Sequence, residues 1–103
     1  MKEEAERLEA TRIRLQEIIS ELMQRANDAD LAAKYVSTGS SSGISRRIQK
    51  TCDDLVLLGD AIKVIDRRID QKKFKEAKKD LLISLDVSEK IRREIDELCD
   101  EMQ

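Results

Sequence analysis

The sequence predicts an all-α fold, an antiparallel up-down-up three-helix bundle with coiled-coil-like heptad seams. Charged residues make up 41% of the 103-residue chain and hydrophobic residues 40%, without a single proline. Aromatic residues, which favour β-strands, amount to only 2%. Apolar residues also recur at seven-residue steps through three long segments, the period of an amphipathic helix. A chain of this length predicts one domain spanning residues 1–103.

The first segment predicts a helix over about residues 3–36. Its acidic first turn, with Glu3, Glu4 and Glu6, suits a helix N-terminus because the helix dipole is positive there. The predicted seam consists of Leu8, Leu15, Leu22, Ala29 and Val36, alternating with Thr11, Ile18 and Ala32 and widened by Ile19, Ala26 and Ala33.

A Gly/Ser-rich loop is predicted over residues 37–43. Gly39 is expected to end the first helix, and Ser42 or Ser45 to cap the second. Such a run behaves as a flexible tether and is a generous connection, since antiparallel helices need only about 2–8 residues between them. A natural turn, an introduced linker and a functional loop are the three interpretations.

The second helix is predicted over about residues 44–70. Gly59 in its middle costs about 1 kcal/mol relative to alanine, so we expect a neighbouring helix to approach closely there. The predicted seam consists of Ile48, Leu55, Ile62 and Ile69, alternating with Ile44, Thr51, Leu58 and Ile65.

The third helix is predicted over about residues 73–102. A turn near residues 70–73 is expected although it contains neither glycine nor proline, and one continuous helix is the alternative. The predicted seam consists of Phe74, Leu81, Ser88, Ile95 and Met102, alternating with Ala77, Ser84, Ile91 and Leu98 and flanked by Leu85 and Cys99.

The charge pattern matches this topology at both ends of the bundle. The acidic start of helix 1 is expected beside a basic corner consisting of Arg67, Arg68, Lys72, Lys73, Lys75, Lys78 and Lys79. At the other end, Arg46 and Arg47 are expected beside the acidic C-terminus of helix 3, which carries Asp96, Glu97, Asp100 and Glu101. The pattern predicts a solvated corner neutralised within the chain, and a site for an acidic partner is the alternative.

The residue types argue against an enzyme and against cofactors, metals or small-molecule substrates. The absence of histidine removes the commonest general base and transition-metal ligand. The bundle separates Cys52 from Cys99 by roughly 13 Å along its axis, which predicts no disulfide and no zinc site. The stretch STGSSSG lacks the lysine and the strand-to-helix setting of a phosphate-binding loop.

Nucleic acids and membranes are not expected partners. The net charge is −2, and no aromatic residues are interleaved in the basic corner to stack on bases. The longest apolar run, LVLLG, is far shorter than the ~20 residues that span a bilayer. The N-terminus lacks the apolar region of a secretory signal, so a cytoplasmic setting is the default expectation.

Apolar residues outside the seams are the one feature with a functional implication. Val56, Leu57 and Val64 on helix 2 and Leu82 and Ile83 on helix 3 are expected to form one band at mid-height. Such a band predicts a protein-binding surface, either for self-association into a larger bundle or for a partner's amphipathic helix. The alternative is that helix 2 is the most buried helix, with some apolar residues left exposed.

Two classes of function follow from these patterns. The first is a non-enzymatic structural or protein-protein interaction module that uses the apolar band. The second is an engineered or de novo designed bundle, or a linker-joined fusion of helical fragments, with no native biochemical activity. The lack of Pro, His and Trp favours design, whereas two cysteines, Gly59, Ser84 and Ser88 argue against it.

Overall fold

Three long helices pack side by side in a computed structural model that describes residues 2–35 and 41–102. They are α1 (Lys2–Tyr35), α2 (Ser41–Asp70) and α3 (Phe74–Met102). Each helix packs against both others in a body of 56 × 17 × 16 Å. The predicted all-α three-helix bundle is confirmed.

The core consists of three apolar clusters stacked along the bundle axis. Every cluster draws buried side chains from more than one helix, so the seams interlock over the whole length of the body. The largest fully buried side chains are all residues of the predicted seams: Leu15, Ile48, Leu55, Ile65, Leu81, Ile95 and Leu98. Burying each of them contributes about 1.5–3 kcal/mol, so these seven seam residues supply a large part of the stabilisation of the core.

The seam prediction fails near the end of α1. Ala32 is exposed, whereas Ala29 and Ala33 are buried. A straight helix has 3.6 residues per turn, so a strict seven-residue repeat drifts by about 20° per heptad. Over three heptads this drift moves the buried position from Ala32 to Ala33. The predicted seam residue Val36 lies outside the described residues.

Helix α2 begins three residues earlier than predicted. Residues 41–43 were expected in the loop, but they form the first turn of the helix. Glycine and serine cost at most about 1 kcal/mol each in a helix, which this long segment can absorb. Ser42 and Ser45 therefore lie within the helix and not at its N-cap position, while the predicted end at Gly39 lies outside the described residues.

The turn between α2 and α3 is tight and separates two distinct helices. Lys73 N–H donates to Arg68 C=O at 2.8 Å, and Lys72 N–H donates to Ile69 C=O at 3.0 Å. These two bonds form a Schellman motif, which reverses the chain after a helix. Lys72 occupies its left-handed position with φ 61°, where glycine is the usual residue.

The expected close approach at Gly59 is wrong. A Cβ atom built on Gly59 would meet no heavy atom of the described residues within 4 Å. The side chains of the neighbouring helices supply the packing around α2, so no backbone comes near this position. Gly59 therefore carries the helix-propensity cost of glycine without a compensating contact.

Candidate protein-binding surface

The five predicted surface residues are all exposed apolar side chains. Val56, Leu57, Val64, Leu82 and Ile83 are between 40% and 66% exposed. The residues of the seam beside them are almost fully buried, so the bundle core closes without these five. Single exposed apolar residues are ordinary, so what matters is which of the five share a face.

Two sets of ion pairs fix the register of α2 against α3. Near the turn, the guanidinium of Arg68 bonds the carboxylate of Asp80. At the other end, Arg47 bonds Glu94 at 3.0 Å and Glu101 at 2.6 Å. Arg47 donates these hydrogen bonds to the carboxylates of Glu101 and Glu94, which raises the pKa of its guanidinium and keeps it charged.

This register brings Leu57, Val64 and Ile83 to one side of the bundle. Val64 lies one turn before Arg68, and Ile83 lies one turn after Asp80. Because the helices are antiparallel, Val64 and Ile83 are both displaced from the ion pair by one turn, in the direction away from the α2–α3 turn. Val64 therefore comes level with Ile83. Leu57 lies two turns further along the same side of α2. We call these three residues the apolar strip.

The other two predicted residues lie elsewhere, so a single band of five is not formed. Leu82 directly precedes Ile83 on α3, but its side chain is rotated by about 100° around the helix axis. It lines a groove between α1 and α3, together with Leu8 and Leu85. Val56 turns about 100° from Leu57, toward the side of α2 where Asp66 bonds Arg12 of α1 at 2.6 Å. Adjacent positions on a helix do not share a face, which the helical period alone indicates.

A groove of about 440 Å³ continues from the strip along the boundary of α2 and α3. Its floor is apolar and its walls carry both signs of charge, as in the rim of many protein interfaces. Its lining consists of Arg47, Lys50, Thr51, Asp54, Val87, Lys90, Ile91 and Glu94. Sequence reasoning missed this part of the surface because it singled out apolar residues and not the charges beside them.

The side facing α1 is held by a different ion cluster. Arg25 of α1 donates to Asp96 of α3 at 2.5 Å, and Arg92 donates to the same carboxylate at 2.6 Å. The hydrogen bond from Arg25, reinforced by the charges of both arginines, lowers the pKa of Asp96. This cluster fixes α1 against α3 and lies away from the apolar strip.

The basic corner is not neutralised as predicted. Within the described residues, Arg68 alone of its seven cations forms an ion pair, and that pair is with Asp80 and not with α1. Glu3 and Glu4 line a groove together with Lys78, but no ion pair joins them in the described part of the chain. Holding two long exposed side chains in contact gains at most about 1 kcal/mol, which explains why opposite charges here remain apart.

Both cysteines are free and half-buried, which confirms the prediction of no disulfide. Cys52 and Cys99 pack against the central apolar cluster. Burial raises the pKa of the Cys52 thiol, and the nearby Asp30 and Asp53 raise it further. A thiol that stays protonated at neutral pH is a poor nucleophile, so Cys52 fills space in the core.

Three further findings bear on the class of protein. Among residues 2–35 and 41–102, no group of acidic and cysteine side chains is arranged to hold a metal ion. None of the three described helices combines the length and the apolar character needed to cross a bilayer. No protein-family model matches the sequence, and no match was found among the curated proteins or the solved structures.

Proposed function

We propose that this chain is a non-enzymatic structural bundle that binds protein through the apolar strip. The observation that carries the proposal is the exposure of Leu57, Val64 and Ile83 together on one face of a bundle whose core is complete without them. Covering a Leu, Val or Ile side chain is worth about 1.5–3 kcal/mol, so a partner seated on the strip gains affinity at once.

The surroundings of the strip support a protein partner rather than a small molecule. Ion pairs flank the strip at both ends, and the groove beside it is shallow and has charged walls. An apolar centre within a charged rim is the usual anatomy of a protein interface. Small-molecule sites are instead enclosed and mostly apolar.

Two backbone choices favour a natural chain over the alternative of an idealised design. Gly59 occupies a helix interior without a packing reason, and Lys72 occupies a left-handed position that designers give to glycine. Both choices lower stability and are avoided when a backbone is designed for ideal geometry.

A selection from a phage-displayed library of amphipathic helical peptides tests the proposal. The wild-type protein is immobilised at low density, and selected peptides are then compared on the variant Leu57→Glu/Ile83→Glu. We expect binding to fall by at least tenfold, because two charges replace the apolar contacts of the strip.

The matched control is Ile13→Glu/Leu31→Glu, which places the same two charges at exposed apolar positions on the outer face of α1. Peptides should bind this control as they bind the wild type. Equal binding to the strip variant, or a selection that yields no binder, would show that the strip is not a protein-binding surface.

A further inference from the structure

The face that carries the apolar strip has basic side chains on α2 and acidic side chains on α3 at one end. At the end away from the turn, α2 presents Arg46 and Lys50, and α3 presents Glu97 and Glu101. Arg46 and Glu97 are exposed and form no ion pair with the described residues, and Lys50 bonds only Asp54 of its own helix at 3.1 Å. Glu101 already accepts from Arg47 of its own chain at 2.6 Å, so Arg46, Lys50 and Glu97 are the charges most available to a neighbouring molecule.

We propose that the strip is covered by a second copy of this chain, which lies side by side with the first and points the same way. This inference rests on the proposed function and names its partner. A two-fold axis parallel to the helices then places α2 of each copy against α3 of the other. All neighbouring helices of the resulting four-helix interface run antiparallel, an arrangement that helix bundles favour.

The spacing along the two helices makes this face complementary to itself. Val64 is level with Ile83 in each copy. Val64 of the first copy therefore meets Ile83 of the second, and the two-fold axis repeats this contact with the copies exchanged. Lys50 lies fourteen residues before Val64, and Glu97 lies fourteen residues after Ile83. Fourteen residues are about four turns, so Lys50 reaches Glu97 of the second copy on the same side of the helices.

The same register places further side chains opposite one another. Asp53 comes opposite Glu94 of the second copy, and the bond of Glu94 to Arg47 in its own chain offsets that repulsion. Leu57 comes opposite Lys90 of the second copy, whose aliphatic stem can cover it while the ammonium group stays in water. Arg46 comes opposite Glu101 of the second copy, where it adds a second cation to a carboxylate that already accepts from Arg47 of its own chain. Near the turn, Arg68 faces Lys79 of the second copy, and its bond to Asp80 in its own chain offsets that repulsion.

The reversed arrangement fits the charges less well. If the second copy pointed the opposite way, α2 would face α2, and Lys50 would come opposite the basic turn at Lys72. The face is also large enough for a dimer, because it extends along a body 56 Å long and 17 Å wide. A standard interface takes roughly 800 Å² from each partner.

Complementary charge reversal tests this geometry by sedimentation equilibrium. We expect the wild type to dimerise and the single variants Lys50→Glu and Glu97→Lys each to dimerise at least tenfold more weakly, because each creates two like-charge pairs. An equimolar mixture of the two variants should recover wild-type association. In the heterodimer, the new glutamate at position 50 of one variant faces the new lysine at position 97 of the other. The second contact keeps the natural pair of Lys50 and Glu97.

The control is Lys63→Glu, the same reversal on a side of α2 away from this face, and it should dimerise like the wild type. A monomeric wild type at several hundred micromolar, unchanged dimers in both single variants, or stronger dimers with Lys50→Glu would each overturn the inference. A monomer that still selects peptides on the strip would leave the proposed function standing, so the two failures are distinguishable.

Discussion

At Gly59, a methyl group built on the backbone would touch no neighbouring heavy atom within 4 Å. The residue lies in the middle of α2, between buried Leu58 and exposed Asp60. Glycine loses more backbone entropy on folding than alanine does, and here nothing in the surrounding packing requires it. The interior of α2 therefore carries at this position a free-energy cost that alanine would avoid.

We expect Gly59→Ala to raise the free energy of unfolding by about 0.5–1 kcal/mol, because alanine restricts the unfolded chain and fills open space. Urea unfolding followed by circular dichroism measures the change. Gly43→Ala is the matched control, since its Cβ also meets nothing within 4 Å but lies in the first turn of α2, where helices fray. A decrease in stability for Gly59→Ala would mean that the helix needs glycine for a reason other than packing.

The turn between α2 and α3 shows how an element ends without the expected residues. The Schellman bonds of Lys72 and Lys73 close the C-terminus of α2, and Phe74 begins α3 directly afterwards. The left-handed conformation of Lys72 costs about 1 kcal/mol of folding free energy. The turn is thus held by backbone hydrogen bonds and by the packing of the flanking helices rather than by local residue preference.

Lys72→Gly is expected to stabilise the bundle by about 0.5–1 kcal/mol, because glycine adopts positive φ without steric strain. The midpoint of urea unfolding should rise accordingly. Lys73→Gly removes the same charge one residue later, where φ is not positive, and should give no gain. Equal gains in both variants would point to relief of charge repulsion at the corner instead of relief of strain.

Across the whole molecule, ion pairs between helices act at three boundaries. Arg12 joins α1 to α2 through Asp66, Arg25 joins α1 to α3 through Asp96, and Arg47 joins α2 to α3. Each pair spans helices whose apolar seams already interlock, so the pairs select the register more than they supply the stability. They also leave the apolar strip uncovered on the side of the bundle where α2 and α3 meet.

The Arg25–Asp96 pair makes the stability depend on pH. The pKa of Asp96 is lowered in the folded state, so its contribution is complete above the ordinary aspartate pKa of about 3.9 and is lost as the pH falls through the folded pKa. Asp96→Asn should therefore lower stability at pH 7 and reduce the loss of stability between about pH 5 and pH 2. Urea unfolding across this range measures both effects.

Asp100→Asn is the control for this titration, because Asp100 is exposed and forms no ion pair with the described residues. It should leave the slope of stability against pH close to that of the wild type. If Asp96→Asn kept the full wild-type loss on acidification, the pair with Arg25 would not be formed in solution.

Much of the candidate surface was predictable from the sequence, but the alignment of its residues across α2 and α3 was not. The seven-residue repeats excluded Leu57, Val64 and Ile83 from the seams, which predicted their exposure. The pairing of Val64 with Ile83 at one height depends on the ion pair between Arg68 and Asp80, which joins residues of different helices. Periodicity describes one helix at a time and does not contain that register.

The sequence by itself determined the fold class, the three helices and most of the core, because the apolar period and the lack of breakers are local properties. The tertiary structure alone decided the start of α2, the open space at Gly59 and the isolation of the basic corner. It also decided which exposed apolar residues of different helices share a face. These features depend on how far apart side chains of different helices lie, and packing sets that distance only when all three helices come together.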